Sequence, residues 1–139
     1  MTFAGMNILA IVIAAVAGFA FGSIYYMALS GPWLKAVDKT REQLMPSGRP
    51  KSGPFIVSIV ALLVMAWVLA GTIGHLGPGQ VTLRNGVISS LFIWLGFVAT
   101  TLAVNNAFGG RKPMLTVIDG IHWLGVLVIQ GAIIGAVGV

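Results

Sequence analysis

The chain has 139 residues, of which 58% are hydrophobic and only 8% are charged, with a formal net charge of +5. Soluble globular domains carry about 25% charged residues, so this composition excludes an ordinary soluble domain and indicates an integral membrane protein. The sequence contains no cysteine, which excludes disulfide bonds, thiol catalysis and cysteine-ligated metal clusters.

Four apolar stretches are each long enough to cross a bilayer as a helix, which takes about 20 residues at ~1.5 Å rise per residue. The stretches are Gly5–Leu29, Phe55–Leu76, Leu83–Ala107 and Met114–Val137. They are continuously apolar, whereas the strands of a transmembrane barrel alternate in polarity. The sequence therefore predicts an all-α membrane protein, with four transmembrane helices in one domain that covers residues 1–139.

The connection between the first and second stretches predicts a short helix of its own. Pro32 is typical of the first turn of a helix, and Pro46 ends the pattern. Between them, apolar residues recur at helical spacing and basic residues take the other side. This predicts an amphipathic helix over residues 32–45 that lies in the membrane interface. It either anchors and orients the first two spans or offers a docking surface.

The basic residues are distributed asymmetrically. Seven of the eight lie in the first and third connections, and only Arg84 lies in the second. By the positive-inside rule, the first and third connections face the cytoplasm and both termini lie outside. Beside a membrane, this charge predicts contacts with anionic lipid head groups rather than with nucleic acid. The seven residues are Lys35, Lys39, Arg41, Arg49, Lys51, Arg111 and Lys112.

Small residues recur four apart in every predicted span. Such stripes let helix backbones approach closely, which favours helix association inside lipid. They serve packing within one chain or assembly with a second copy or another membrane protein. Because four spans have few helix neighbours of their own, we expect some stripes to face a partner. The candidate packing residues are Gly18, Gly22, Ala70, Gly74, Ala103, Gly131 and Gly135.

One ionisable pair, Asp119 and His122, lies within the fourth span, and its spacing places both side chains on one helix face. Tyr25 and Tyr26 at the end of the first span, with Asn105 and Asn106 at the end of the third, bring polar groups to the same depth. In one interpretation this cluster is structural, and a tyrosine or an asparagine satisfies the carboxylate. In the other, Asp119 and His122 exchange protons or bind a polar solute, since charges within spans are expensive and usually functional.

Catalytic signatures are missing from the sequence. It has no HExxH, no Ser-centred GxSxG, no Gly-rich phosphate loop and no second intramembrane carboxylate to pair with Asp119. We therefore expect no enzymatic activity, no cofactor and no metal site.

Several residues, spread in order along nearly the whole chain, also match the sequence pattern of a known family. In the first half they are Met6, Asn7, Ala10, Ile11, Gly18, Tyr25, Tyr26 and Trp33. In the second half they are Gly96, Phe97, Val98, Asn105, Phe108, Arg111, Lys112, Asp119, Trp123, Gly131 and Gly135. Together they resemble the bacterial domain-of-unknown-function family numbered 1761, although Ile8 replaces a usual tryptophan and His122 replaces a commoner aromatic residue. The resemblance implies a four-span protein of the bacterial inner membrane and implies no reaction.

From these observations we expect a non-enzymatic membrane protein that acts through helix–helix assembly. It would do so as a homo-oligomer or as an accessory subunit of a larger membrane complex. The alternative is a small transporter or a proton-coupled solute-binding protein that uses Asp119 and His122.

Overall fold

The computed structural model describes residues 6–139, so Gly5, the predicted first residue of the first span, lies outside the described residues. Within 6–139 the secondary structure is helical and contains no strand. Four helices are long and apolar enough to cross a membrane. The first span is Ile8–Ala28, the second Ser52–Gly74, the third Leu83–Phe108 and the fourth Pro113–Val137. The predicted all-α membrane architecture is thereby confirmed.

The residues at the start of each span are suited to the first turn of a helix. The Asn7 side chain accepts a hydrogen bond from the Ala10 amide at 3.1 Å, and Thr82 accepts one from the Asn85 amide at 3.1 Å. The fourth span opens on Pro113, whose missing N–H costs nothing there. The second span begins at Ser52, three residues earlier than predicted, because Pro54 is also tolerated in a first turn.

The first connection contains two short helices, Ser30–Ala36 and Arg41–Leu44, rather than the single helix predicted over residues 32–45. Asp38 adopts a positive φ of 54°, which ends the helical path. Thr40 then caps the next turn in a reciprocal box with Gln43. The amphipathic pattern therefore covers two helices, and the capping box sets the start of the second.

An ion pair ties the first connection to the third. Lys112 Nζ donates to Asp38 Oδ1 and also to the Lys35 carbonyl oxygen. Both connections therefore lie at one end of the bundle, called the basic end below. The Lys112 and Asp38 side chains are largely exposed, so this pair contributes about 0.2–1 kcal/mol to stability.

The fourth span lies at the centre of the bundle and packs against each of the other three. The first span packs against the second and fourth, whereas the third rests mainly on the fourth. The core between these helices is apolar and includes the fully buried side chains of Leu69, Ile73 and Ile134.

The third and fourth spans meet backbone to backbone at the end opposite the basic end. A Cβ on Gly86 would lie 2.0 Å from the Gly131 carbonyl oxygen, and one on Gly135 would lie 2.3 Å from the Thr82 carbonyl oxygen. Ser90 is fully buried at this crossing and donates to the Gly86 carbonyl at 2.8 Å. Gly131 and Gly135 thus pack within the chain, as small residues do where helices approach closely.

A π-helical turn at Trp94–Ala99 divides the third span. The half before it, Leu83–Ile93, carries the buried Gly86 and Ser90 of the close crossing. The half after it, Thr100–Phe108, has no buried residue. Of the most apolar 18 residues of each span, 6% are buried in the third and 28–44% in the others. The third span is therefore the most exposed of the four.

Candidate functional site

The polar residues predicted to cluster meet at the basic end of the interface between the first and fourth spans. The Tyr26 hydroxyl donates to Asp119 Oδ1 at 2.6 Å. The Tyr25 hydroxyl donates to the Ile118 carbonyl oxygen, also at 2.6 Å. Two consecutive tyrosines of the first span thus hold two consecutive residues of the fourth. Charged acceptors strengthen such bonds, so the contact to Asp119 is the stronger one.

His122 lies one turn further into the bundle and is 8% exposed. Its ring is surrounded by aromatic rings whose centroids lie 4.6–6.2 Å away: Phe21, Tyr25, Tyr26 and Trp123. The Phe21 ring stacks nearly parallel to the imidazole, with an interplanar angle of 15°. We call these four side chains and His122 the aromatic cage.

Two glycines of the first span make room for polar side chains of the fourth. A Cβ on Gly22 would lie 2.7 Å from His122 Nε2, and one on Gly18 would lie 3.5 Å from Gln130 Nε2. Both positions were predicted to serve helix packing through their small size. The structure shows what the small size accommodates, which is an imidazole at Gly22 and, at Gly18, the side chains of Leu62 and Val126 together with the Gln130 amide.

Both of these polar side chains keep a buried atom without a partner. His122 forms no hydrogen bond with any described residue, and its Nδ1 is buried. Gln130 is fully buried and donates Nε2 to the Leu62 carbonyl at 3.0 Å, which leaves its Oε1 without a described partner. An unpaired buried polar atom costs about 1–3 kcal/mol, so each of these atoms needs an explanation.

Neither of the two asparagines predicted for the cluster bonds to Asp119. Asn106 Nδ2 donates to Thr116 Oγ1 at 3.0 Å, which joins the third and fourth spans nearer the basic end. Asn105 is exposed, and its side chain bonds to no described residue. Successive residues of a helix point about 100° apart, so only one of the pair faces the fourth span.

The remaining packing candidates divide into two groups. Ala70 is buried in the core, and a Cβ on Gly74 would touch the Val139 side chain at 3.4 Å. Ala103 is exposed. The seven basic residues predicted to contact lipid head groups are also exposed: Lys35, Lys39, Arg41, Arg49, Lys51, Arg111 and Lys112.

Sequence reasoning missed three members of the site. Phe21 precedes Tyr25 by four residues, a helical spacing that could have shown their common face. Thr116 precedes Asp119 by three residues and shares its face in the same way. Trp94 donates its indole N–H to the Gly120 carbonyl at 2.8 Å, and no sequence pattern indicates this contact.

The assembled groups are suited to holding and moving a proton. A carboxylate and an imidazole both contact Tyr26, the carboxylate through the hydroxyl and the imidazole against the ring. Within residues 6–139, no group of three or more His, Cys, Asp or Glu side chains is placed to hold a metal ion.

A family model described as a protein of unknown function, DUF1761, matches residues 9–135. The chain belongs to this family. The DUF1761 match takes in nearly all of each span and the whole of the aromatic cage, which confirms the resemblance seen in the sequence. No curated protein and no solved structure matches the chain.

Proposed function

We propose that this protein is a non-enzymatic membrane subunit that acts through helix–helix assembly of its third span. Its partner is a second copy of the chain or another protein of a larger membrane complex. The observation that carries the proposal is the exposure of this span, where 6% of the most apolar 18 residues are buried. A helix that packs mainly against one neighbour leaves most of its surface available to a partner or to lipid.

The exposed surface includes a face built from small residues. We call this face the small-residue ridge; it consists of Gly96, Ala99, Thr100, Ala103 and Ala107. All are exposed except the half-buried Ala99. A Cβ on Gly96 would meet nothing within 4 Å, in contrast to Gly86, where the fourth span leaves no room. Close approach of a helix is what small residues favour in lipid, so the ridge supports a partner.

The polar cluster supports the same proposal. The hydroxyls of Tyr25 and Tyr26 are both engaged with the fourth span, so they staple two helices together. A staple of this kind fixes the bundle on which the third span rests. It accounts for Tyr25, Tyr26 and Asp119 without a reaction.

The exposed basic residues support a placement of the protein in the membrane. Six of the seven form no ion pair with a described residue, and all lie in the two connections of the basic end. On the positive-inside rule, this end is cytoplasmic in a bacterial inner membrane and both termini are periplasmic. Each basic residue near anionic head groups adds about 1 kcal/mol of membrane attraction.

Replacing Ala103 with leucine tests the assembly proposal. The added bulk is expected to keep a partner helix away and to lower the association constant about tenfold, a change of about 1.4 kcal/mol. The measurement is the mass and composition of particles extracted from native membranes with their lipids. The matched control is Val104→Leu on the neighbouring exposed position, which leaves the ridge unchanged.

Two outcomes support the proposal, and one overturns it. A multiple of the 14.5 kDa chain indicates a homo-oligomer, and a stoichiometric foreign subunit indicates an accessory role. A single chain with no other protein contradicts assembly. Equal effects of Ala103→Leu and Val104→Leu would contradict the ridge as the contact surface.

A further inference from the structure

We propose that His122 is a buried proton-binding site, open to the basic end of the bundle, with Asp119 as its counter-ion. This inference gives a definite form to the alternative function predicted from the sequence. It does not depend on assembly, because the cage lies between the first and fourth spans and the small-residue ridge lies on the third.

The first argument is the hydrogen bonding of His122. A neutral imidazole has one N–H donor and one lone pair, and a structural histidine in a core engages them. Here neither nitrogen bonds to a described residue, although the side chain is more than nine-tenths buried. Nδ1 therefore lies buried in the cage with no bond to hold it in one protonation state.

The second argument is the aromatic cage. The centroids of the Tyr26 and Trp123 rings lie 4.7 and 4.6 Å from that of the imidazole. Aromatic rings within about 6 Å attract a cation through their quadrupoles, and the attraction grows when the site excludes water. Attraction of this kind would offset part of the desolvation that opposes an imidazolium ion at a buried position.

The third argument is the charge of the whole cluster. Tyr25 and Tyr26 of the first span face His122 with their rings, and Asp119 lies three residues before His122 on its own helix, bonded to Tyr26. Near them the third span supplies Trp94 and Asn106, neither of which titrates. With Asp119 ionised and His122 neutral, the cluster carries one negative charge. Binding of a proton makes it neutral overall, and intramembrane charges are stabilised by pairing.

The proton balance is simple. A proton leaves water at the basic end and binds to the lone pair of the neutral imidazole, which becomes imidazolium beside the carboxylate. Asp119 lies three residues nearer this end and is half-buried, so it stands between the surface and His122.

The opposite side of the site is closed by fully buried side chains, among them the polar Gln130. Val126 follows His122 on the same face of the fourth span and is fully buried. Beyond it, Leu69, Ile73 and Ile134 are also fully buried. A proton therefore enters and leaves His122 on one side only, which makes the site a sensor of proton concentration at the basic end rather than a path across the membrane.

The chain contains two histidines, so a single substitution isolates the site. His75→Gln leaves His122 as the one imidazole, and nitrogen-15 labelling of histidine then reports its charge directly. We would record solid-state NMR spectra of this full chain in liposomes between pH 4 and pH 9. The expected result is one step from the neutral to the charged imidazole pattern as the pH falls.

Two Asp→Asn substitutions test the counter-ion. Asp119→Asn removes the negative charge, so His122 holds its proton less firmly and the step moves to lower pH by about one unit or more. Asp38→Asn is the matched control, because Asp38 is exposed at the same end and bonded to Lys112, and the step is expected to stay in place.

An imidazole that remains neutral from pH 4 to pH 9 overturns the proposal, and so does an identical step in the Asp119→Asn variant. Should that variant not fold, vesicles of known orientation with the pH changed on one side only supply the test. The step should follow the pH at the basic end, and a response to the other side alone contradicts the proposed access. Single chains and assembled particles should titrate alike, so failure of the assembly proposal would leave this result unchanged.

Discussion

Replacing Gly86 with alanine is expected to force the third and fourth spans apart and to lower the free energy of unfolding by about 3 kcal/mol. The new Cβ would lie 2.0 Å from the Gly131 carbonyl oxygen. The atoms that this Cβ would meet belong to the backbone of the fourth helix, so no side chain can rotate to relieve the overlap. The third span rests mainly on the fourth, and a shift at this crossing therefore weakens most of what holds it.

Gly120→Ala is the matched control for this experiment. Gly120 also lies in the fourth span, but a Cβ there would meet nothing within 4 Å. Alanine in a helix interior is favoured over glycine by about 0.5–1 kcal/mol, so this variant should be slightly more stable than the wild type. Unfolding in mixtures of mild and denaturing detergent, followed by circular dichroism, measures both. Equal stability of the two variants would contradict the close crossing.

The four spans could be predicted from the sequence because length and continuous apolarity suffice to identify them. In the described part of the chain, the ends of the four spans lie within three residues of the predicted ends. The connection between the first two spans was predicted less well. The break there depends on the positive φ of Asp38 and on the capping box of Thr40, and both interrupt a hydrophobic pattern that continues across them.

The depth of the polar cluster could also be predicted, because the distance of each residue from its helix end is fixed by the rise of the helix. The choice among the candidate partners of Asp119, a tyrosine or an asparagine, could not, since a sequence does not give the rotation of one helix about its axis against another. For that reason Asn106 was expected near Asp119 but bonds to Thr116. The π-helical turn at Trp94–Ala99 adds to the difficulty, because it shifts the face of the third span without a proline or another visible signal.

Small residues illustrate a third kind of limit. Gly22 and Gly131 were predicted alike, as residues that let helices pack. In the structure, Gly131 meets the Ser90 hydroxyl and the backbone of Gly86, whereas Gly22 meets the imidazole of His122. A stripe of glycines predicts close approach, but what approaches depends on the side chains of the neighbouring helix at that height. Ala103 is exposed, and this is the reason that the ridge is assigned to a partner.

Replacing Tyr26 with phenylalanine is expected to lower the free energy of unfolding by about 2–3 kcal/mol. The change removes the hydroxyl that donates to Asp119 and leaves the carboxylate without a described hydrogen-bond donor. Hydrogen bonds to charged groups contribute about 1.5–3 kcal/mol, and loss of one partner of a half-buried ion adds its desolvation. Tyr25→Phe is the matched control, since its hydroxyl donates to a backbone carbonyl and should cost only about 0.5–1.5 kcal/mol.

A double-mutant cycle separates the Tyr26–Asp119 bond from the packing of the ring. In an Asp119→Ala background the Tyr26 hydroxyl has no carboxylate to bind, so Tyr26→Phe should cost little, and the coupling energy should be about 2 kcal/mol. The same detergent unfolding measures all four chains. A coupling near zero would mean that the tyrosine stabilises the bundle through its ring alone, against Trp33 and the aromatic cage.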